Sequence, residues 1–394
     1  MTVLEFIDKN FPLSILENKE DLDDRFGLPF PYTVPSPGDI FDCMFYWDTH
    51  FTNVGLIQSG RTQQAIYNTD NIRHMIQRFG YMPNGTKRHF LEKSQPPFYY
   101  RMVADIFAVT KDLSWLATHY DTIAKEYNYW MTNRLAPNGL NYYGNLLVAK
   151  SEEADGLYEY WKTRLPGLNT VEKTMAVNTG STLGESGWDC CYRFELCGPH
   201  YNPVDLNTLL YGLETAMADF SRLLGKGEEQ LWQSRAEKRK EKMDRWLFCK
   251  EKGFYLDWNF VEEKYSPMVS VASLYPLYLG LNHDPDAIMS VLERELLLPY
   301  GVACTTQSNF HLQWEHPNIW APLQYIAYMA CRNAGRADLA EKIAYRYKKL
   351  LDQNFNITGK LWEKYNGLTG EVVNTEYDAS PMLGWTAGVY LAFV

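Results

Sequence analysis

From about residue 61 onward, segment after segment of this chain repeats apolar residues at three-to-four spacing, the period of one face of an α-helix. Over 61–79 the face is Ala65, Ile66, Ile72, Met75, Ile76 and Phe79; over 113–134 it is Trp115, Leu116, Tyr120, Ile123, Tyr127 and Trp130. The same reasoning predicts helices over about 97–110, 203–224, 228–247, 266–279, 285–296, 318–334, 336–353 and 383–394. Alternating β-branched runs are few; Gly253-Phe254-Tyr255-Leu256-Asp257-Trp258 reads as a short strand or turn. A helix with one apolar stripe must bury it against another element, so this pattern predicts one large all-α array. An α-solenoid would show a fixed sequence period of about 34–45 residues, and none is visible. No low-complexity linker divides the chain, so residues 1–394 are expected to form a single domain. Residues 1–60, rich in Pro, Gly and Asp, read as a loop-rich segment contributing to a pocket, and 137–202 also read as loop-rich.

Composition narrows the function. A formal charge of −10 argues against nucleic-acid or anionic-membrane partners. The densest basic run, Lys238-Arg239-Lys240-Glu241-Lys242, is expected on a solvated helix face. No apolar stretch reaches the length of a membrane span. The seven cysteines include no CxxC pair, and Met1-Thr2-Val3-Leu4-Glu5-Phe6 lacks a signal-like pattern. A cytoplasmic location is therefore expected. Aromatic residues reach 15%, which suits either a large core or a deep aromatic cleft.

The unusual segments lie between the helices. Glu185-Ser186-Gly187-Trp188-Asp189 and Leu361-Trp362-Glu363-Lys364-Tyr365 each set carboxylates among aromatic rings. Glycosidic bond cleavage uses two carboxyl groups flanking the bond, and sugar rings lie well on aromatic faces. Pro37-Gly38-Asp39-Ile40-Phe41, Phe45-Tyr46-Trp47-Asp48-Thr49-His50-Phe51, Lys93-Ser94-Gln95-Pro96-Pro97 and Gln313-Trp314-Glu315-His316-Pro317-Asn318-Ile319-Trp320-Ala321-Pro322 mix aromatics with amides and carboxylates. Such groups stack on sugars and pair with vicinal hydroxyls.

These segments resemble the signatures of the trehalases, an inverting glycoside hydrolase family. Pro37–Phe41 with Tyr46–Phe51 is similar to PGGRF…YYWDSYF, and Gln313–Pro322 is similar to QWDxPNGWAP. Asn84-Gly85, Ser94–Pro97, Glu185–Asp189, Pro203-Val204-Asp205-Leu206-Asn207 and Glu363-Lys364-Tyr365 match in order, so the likeness covers nearly the whole chain. The resemblance implies an (α/α)6 toroid with long active-site loops and a central pocket. It implies Asp189 as general acid and Glu363 as general base. It implies sugar contacts at Trp47, Asn84, Gln95, Trp314 and Glu376; Phe41, Lys93, Trp188 and Gln313 are further candidate sugar contacts, and Asp48 is one that either binds sugar hydroxyls or braces its loop. No metal or organic cofactor is implied, the partner is a small carbohydrate, and the oligomeric state stays open.

The sequence departs from the family at the residues that grip sugar. Ile40 stands for the arginine of PGGRF, and Lys93 for that of RSQPP. An arginine fork holds hydroxyls in a plane that Ile cannot supply and Lys supplies poorly. The expected function is an inverting α-glycoside hydrolase acting on a small α-linked glucoside such as trehalose. A glucosylglycerate, mannosylglycerate or oligosaccharide α-glucosidase is the near alternative. A sugar 2-epimerase or a non-catalytic sugar-binding protein is the distant one. Asp205 and Asn207 are expected to cap a helix, and His50, His89, His311 and His316 to be structural or peripheral.

Overall fold

The computed structural model describes residues 1–38, 40–145, 152–281, 284–308 and 310–394; Asp39 of the first motif and part of the 137–202 stretch lie outside the described residues. Among the described residues fourteen α-helices follow in chain order. They are α1 (Val3–Asn10), α2 (Tyr46–Gln58), α3 (Thr62–Phe79), α4 (Tyr99–Thr110), α5 (Leu113–Asn133), α6 (Glu152–Lys162), α7 (Lys173–Ser186), α8 (Val204–Leu224), α9 (Glu229–Trp246), α10 (Tyr275–Tyr278), α11 (Asp286–Val291), α12 (Ala321–Asn333), α13 (Ala337–Thr358) and α14 (Trp385–Ala392). Six of them touch in a closed circuit: α2 packs on α4, α4 on α8, α8 on α10, α10 on α12, α12 on α14, and α14 returns to α2. Each of the first five is followed in the chain by the next helix of an outer layer, namely α3, α5, α9, α11 and α13; α1 packs on α13 at the seam. This is the expected (α/α)6 toroid.

The inner position explains why α2 has little amphipathic pattern: ten of its residues are buried, among them Tyr46, Trp47, Asp48, Thr49, His50 and Phe51. It reads as a loop in sequence because its first turn is polar and aromatic, not because it lacks helix formers. The ring closes where α2 and α14 cross at glycine. A Cβ on Gly55 would lie 2.4 Å from the Gly388 Cα, and one on Gly388 only 2.2 Å from the Phe51 carbonyl oxygen. Any side chain at either point would force the two helices apart.

Several expected elements differ. Residues 137–202 contain α6 and α7, a helical hairpin lying outside the six-helix circuit. The helix expected over 266–279 shrinks to a 3-10 turn, Val271–Leu274, and the single turn α10. Ser270 is extended and bridged to Thr305, so the helix cannot begin before it. The basic run on α9 is not wholly solvated. Arg239 is buried and pairs with Glu214 at 3.0 Å, while a second nitrogen donates to Asn141 at 2.8 Å. Asp205 and Asn207 are not caps either. Asp205 takes two nitrogens of the buried Arg193, at 3.0 and 2.7 Å, and Asn207 donates to the Asn141 and Pro203 carbonyls. The Arg193 fork continues to Asp257 at 2.6 and 2.9 Å, tying the segment after α7 to the base of α8.

Candidate active site

One cavity of about 560 Å³ opens at the end of the ring. It gathers residues from segments more than 300 positions apart: Phe41, Trp47, Asp48, Asn84, Lys93, Gln95, Asp189, Gln313, Trp314 and Glu363 all line it. Ten of the twelve residues expected at the site thus share one wall.

Local structure accounts for each placement. Helix α7 ends at Gly187, which is left-handed at φ 75°. A Cβ there would lie 2.7 Å from the Trp47 ring, so glycine both ends the helix and admits the indole. Asp189 follows at once and faces the cavity. Opposite, Asn318–Trp320 pairs antiparallel with Lys364–Asn366, Trp320 against Lys364. That ladder sets Glu363 beside the Gln313–Trp314 segment. At the N-terminus of α2, no side chain of its own caps the first turn; Gln95 reaches across and accepts from the Trp47 amide at 3.0 Å. Asn84 donates to the Gly184 carbonyl at 3.1 Å, joining its loop to α7. Lys93 lies along Gly184, whose added Cβ would meet the Lys93 Cε at 2.8 Å.

The cavity floor is aromatic. Trp314 stacks on Trp320 at 3.9 Å and 6°, and on Trp188 at 5.7 Å and 23°. Trp47 tilts against Trp314 at 5.7 Å, and Trp385 stands edge-on at 6.3 Å. Trp188 itself is wholly buried and is not a wall residue. Its outer face is covered by the Arg193 guanidinium, 4.8 Å from the ring centroid, so it supports Trp314 instead of meeting a ligand. Glu376 also lies off the wall. It occupies a left-handed position at φ 69°, next to Cys190 and the Gln313 backbone.

Three carboxyl groups crowd the cavity. Burial pushes Asp48 well above the ordinary carboxylate range, and the charges of Glu363 and Asp189 add to this. Asp189 is also raised by burial, against the opposing charges of Lys93, Arg164 and Lys364. Burial lifts Glu363 to about 7, opposed by Lys364 and by the Tyr377 hydroxyl. One oxygen of Glu363 accepts from that hydroxyl at 2.9 Å; the other, Oε2, is buried without a hydrogen-bond partner among the described residues. Lys364 does not pair with Glu363. It donates to the Gln313 side-chain oxygen at 2.8 Å and sits 3.5 Å above the Tyr377 ring.

Sequence reasoning missed several contributors. Tyr377 lines the cavity and holds Glu363. Leu157, Tyr160 and Trp161 of α6 form a wall from the stretch read as loop. Glu315 is buried and takes the Tyr192 amide at 2.6 Å, fixing the turn after Asp189. Glu185, fully buried, accepts both Arg134 nitrogens at 2.8 and 3.0 Å, the Ser94 amide at 2.9 Å and the Gly144 amide at 2.6 Å. Those bonds hold its carboxyl below the ordinary range despite burial. Its place in the Glu185–Asp189 motif was visible in sequence, but its buried partners, which lie 41–91 residues away in the chain, were not.

His50 matches a structural reading, whereas His89, also read as structural or peripheral, lines the cavity. His50 is buried and stacked on Phe98 at 4.5 Å, and burial holds it well below the ordinary imidazole range. Among the described residues only His89 lines the cavity. A sugar 2-epimerase needs histidine bases in its pocket, and that arrangement is not present among these residues. No cluster of His, Cys, Asp and Glu suited to a metal occurs among them either.

A helical toroid whose cavity gathers Asp48, Asp189 and Glu363 beside a tryptophan cluster is the architecture expected of a glycoside hydrolase. The trehalase family model matches residues 12–163 and 172–394, and the chain belongs to the trehalase family. It is 35% identical to a periplasmic trehalase of Pseudomonas aeruginosa, covering 92% of this chain and 70% of that protein. It is 32% identical to a periplasmic trehalase of Xanthomonas oryzae, covering 93% and 68%. Among solved structures, the neutral trehalase of Saccharomyces cerevisiae superposes with a TM-score of 0.75 at 24% identity, covering 92% of this chain and 73% of that one. A mannosylglycerate hydrolase from Thermus thermophilus superposes with a TM-score of 0.68 at 17% identity, covering 99% and 98%. The relatives' names overturn the expected cytoplasmic location. All seven cysteines are free. Six of them are buried, and a buried thiol needs no partner, so its unpaired state does not report the compartment.

Proposed function

We propose that this chain hydrolyses trehalose with inversion, with Asp189 as general acid and Glu363 as general base, on a single domain spanning residues 1–394. The observation that carries the reading is the state of Glu363: one oxygen held by Tyr377, the other buried, unpartnered and on the cavity wall with Asp189. Glu363 would take a proton from water as that water's oxygen attacks the anomeric carbon. Asp189 would give its proton to the leaving oxygen as the glycosidic bond breaks. A base that titrates at about 7 is well matched to a neutral working pH. The elevated Asp189 keeps a proton available for donation. An inverting pair is expected about 6.5–9.5 Å apart, leaving room for the water.

The cavity volume suits a disaccharide. Asp48, Gln95, Asn84 and Lys93 line the cavity and would read ring hydroxyls. Periplasmic placement fits the two named relatives. The test is glucose release from trehalose by Asp189→Asn and Glu363→Gln. Each should lower kcat by about 10²–10⁴ while still binding trehalose. Full activity in either variant would refute the assignment. Ile40, 61% exposed at the rim, and Lys93 favour a second reading in which another small α-glucoside is preferred. A panel of α-linked glucosides and mannosides ranked by kcat/KM decides between the two.

A further inference from the structure

Tyr377 belongs to the segment between Glu371 and the start of α14, and it touches the base directly. Its hydroxyl donates to Glu363 Oε1 at 2.9 Å. Its ring is fixed from two sides: the Lys364 ammonium lies 3.5 Å above it, and Phe41 meets its edge at 6.2 Å. Lys364 is itself anchored by Gln313 and by the Thr375 carbonyl at 3.3 Å. A cation over the ring draws electron density from the phenol and strengthens the hydroxyl as a donor.

The neighbouring residue faces the other catalytic segment. Glu376 is left-handed at φ 69°, and its carboxyl is opposed in its upward shift by hydrogen bonds from the Cys190 side chain and the Gln313 backbone. Cys190 is also left-handed, at φ 56°, and directly follows Asp189. Two consecutive residues therefore contact the base and the residue beside the acid. A terminal carboxyl torsion is broad and nearly two-fold, so packing alone would not fix which oxygen faces the cavity. The directional bond from the Tyr377 hydroxyl to Oε1, beside the Ser380 backbone that also meets this carboxyl, does.

We propose that Tyr377 is the positioning residue of the base: by holding Oε1 it presents Oε2 as the atom that accepts the proton from water. This rests on the assignment of Glu363 as base. The charged groups facing Glu363 are Asp48 on α2, Asp189 beyond α7 and Lys364 beside it in the chain. All three are untouched by Tyr377→Phe, which keeps the ring and removes only the donor.

A hydrogen bond to the ionised form favours that form, so its loss moves Glu363 upward. The pH dependence of kcat on trehalose should show the acid limb displaced upward by about one pH unit, with kcat about tenfold lower at pH 6 and KM within about twofold. A ¹³C-carboxyl titration of the folded protein, with Glu363 assigned through Glu363→Gln, should show the same displacement without turnover. An unmoved titration, a uniform fall in rate at every pH, or an unchanged profile would each overturn the proposal. Hydrolysis surviving in Glu363→Gln would instead overturn the base assignment itself.

Discussion

Glu185→Gln removes a charge and almost no volume, yet it should be among the most destabilising single changes in this chain. Glu185 is fully buried, and Arg134, its ion-pair partner, is 4% exposed. Removing one partner of a buried pair leaves the other charge without compensation, which costs about 3–5 kcal/mol. The amide adds a second conflict. The Ser94 amide donates to one Glu185 oxygen and the Gly144 amide to the other, so a glutamine NH2 must face one donor with another. An unsatisfied buried donor costs about 1–3 kcal/mol. The two terms share one site and do not simply add; a loss near 4 kcal/mol is expected, against a total of about 5–15 kcal/mol for typical domains.

Urea unfolding followed by tryptophan fluorescence measures it. The sign of the pH dependence is fixed as well. Glu185 is held below the ordinary carboxylate range, so its contribution is full above the unfolded value near 4.3 and lost as pH falls through the folded value. Variant and wild type should therefore differ at pH 7 and converge in strong acid. The double variant Arg134→Met, Glu185→Gln should recover part of the loss, because no charge then stays buried alone and the glutamine oxygen still accepts one of the two backbone amides. A Glu185→Gln loss below about 1 kcal/mol would refute the reasoning. So would a double variant no more stable than the single one.

Asp48→Asn should raise stability while lowering activity. Asp48 is held above the ordinary range, so the folded state binds its proton more tightly than the unfolded one, and its ionisation opposes folding as pH rises. The variant should melt higher than wild type at pH 8, with the advantage fading towards pH 4; an equal Tm at both would contradict this. Gly187→Ala puts a Cβ 2.7 Å from the Trp47 ring at φ 75° and should cost about 1–3 kcal/mol and lower kcat/KM for trehalose. Unchanged stability and activity would show that Trp47 can move aside freely.

The fold was legible in sequence where helices face outward. The 3.6-residue stripes of α3, α5 and α13 were readable because one face meets solvent and the other the ring. The inner helices were harder. Helix α2 is buried on most sides, so its pattern carries no period, and its polar first turn resembles a loop. Helix α10 is a single turn whose place in the ring depends on neighbours far away in sequence. At the site, Asp189 and Glu363 stood out through their aromatic surroundings. Tyr377 did not, since its role exists only through a contact made across 14 positions of chain. Trp188 was misplaced for a related reason: alternate residues at a helix end diverge, so Asp189 faces the cavity while Trp188 turns into the core.

The stereochemistry of the first turnover tests the central claim most directly. Trehalose joins two α-configured glucoses through their anomeric carbons. If Glu363 directs water to the face opposite the leaving oxygen, the attacked glucose emerges as β and the departing one as α. Proton NMR of early product, read before mutarotation, should show the two anomers in equal amounts. Release of α-glucose alone would mean retention, and would contradict the acid and base roles given to Asp189 and Glu363.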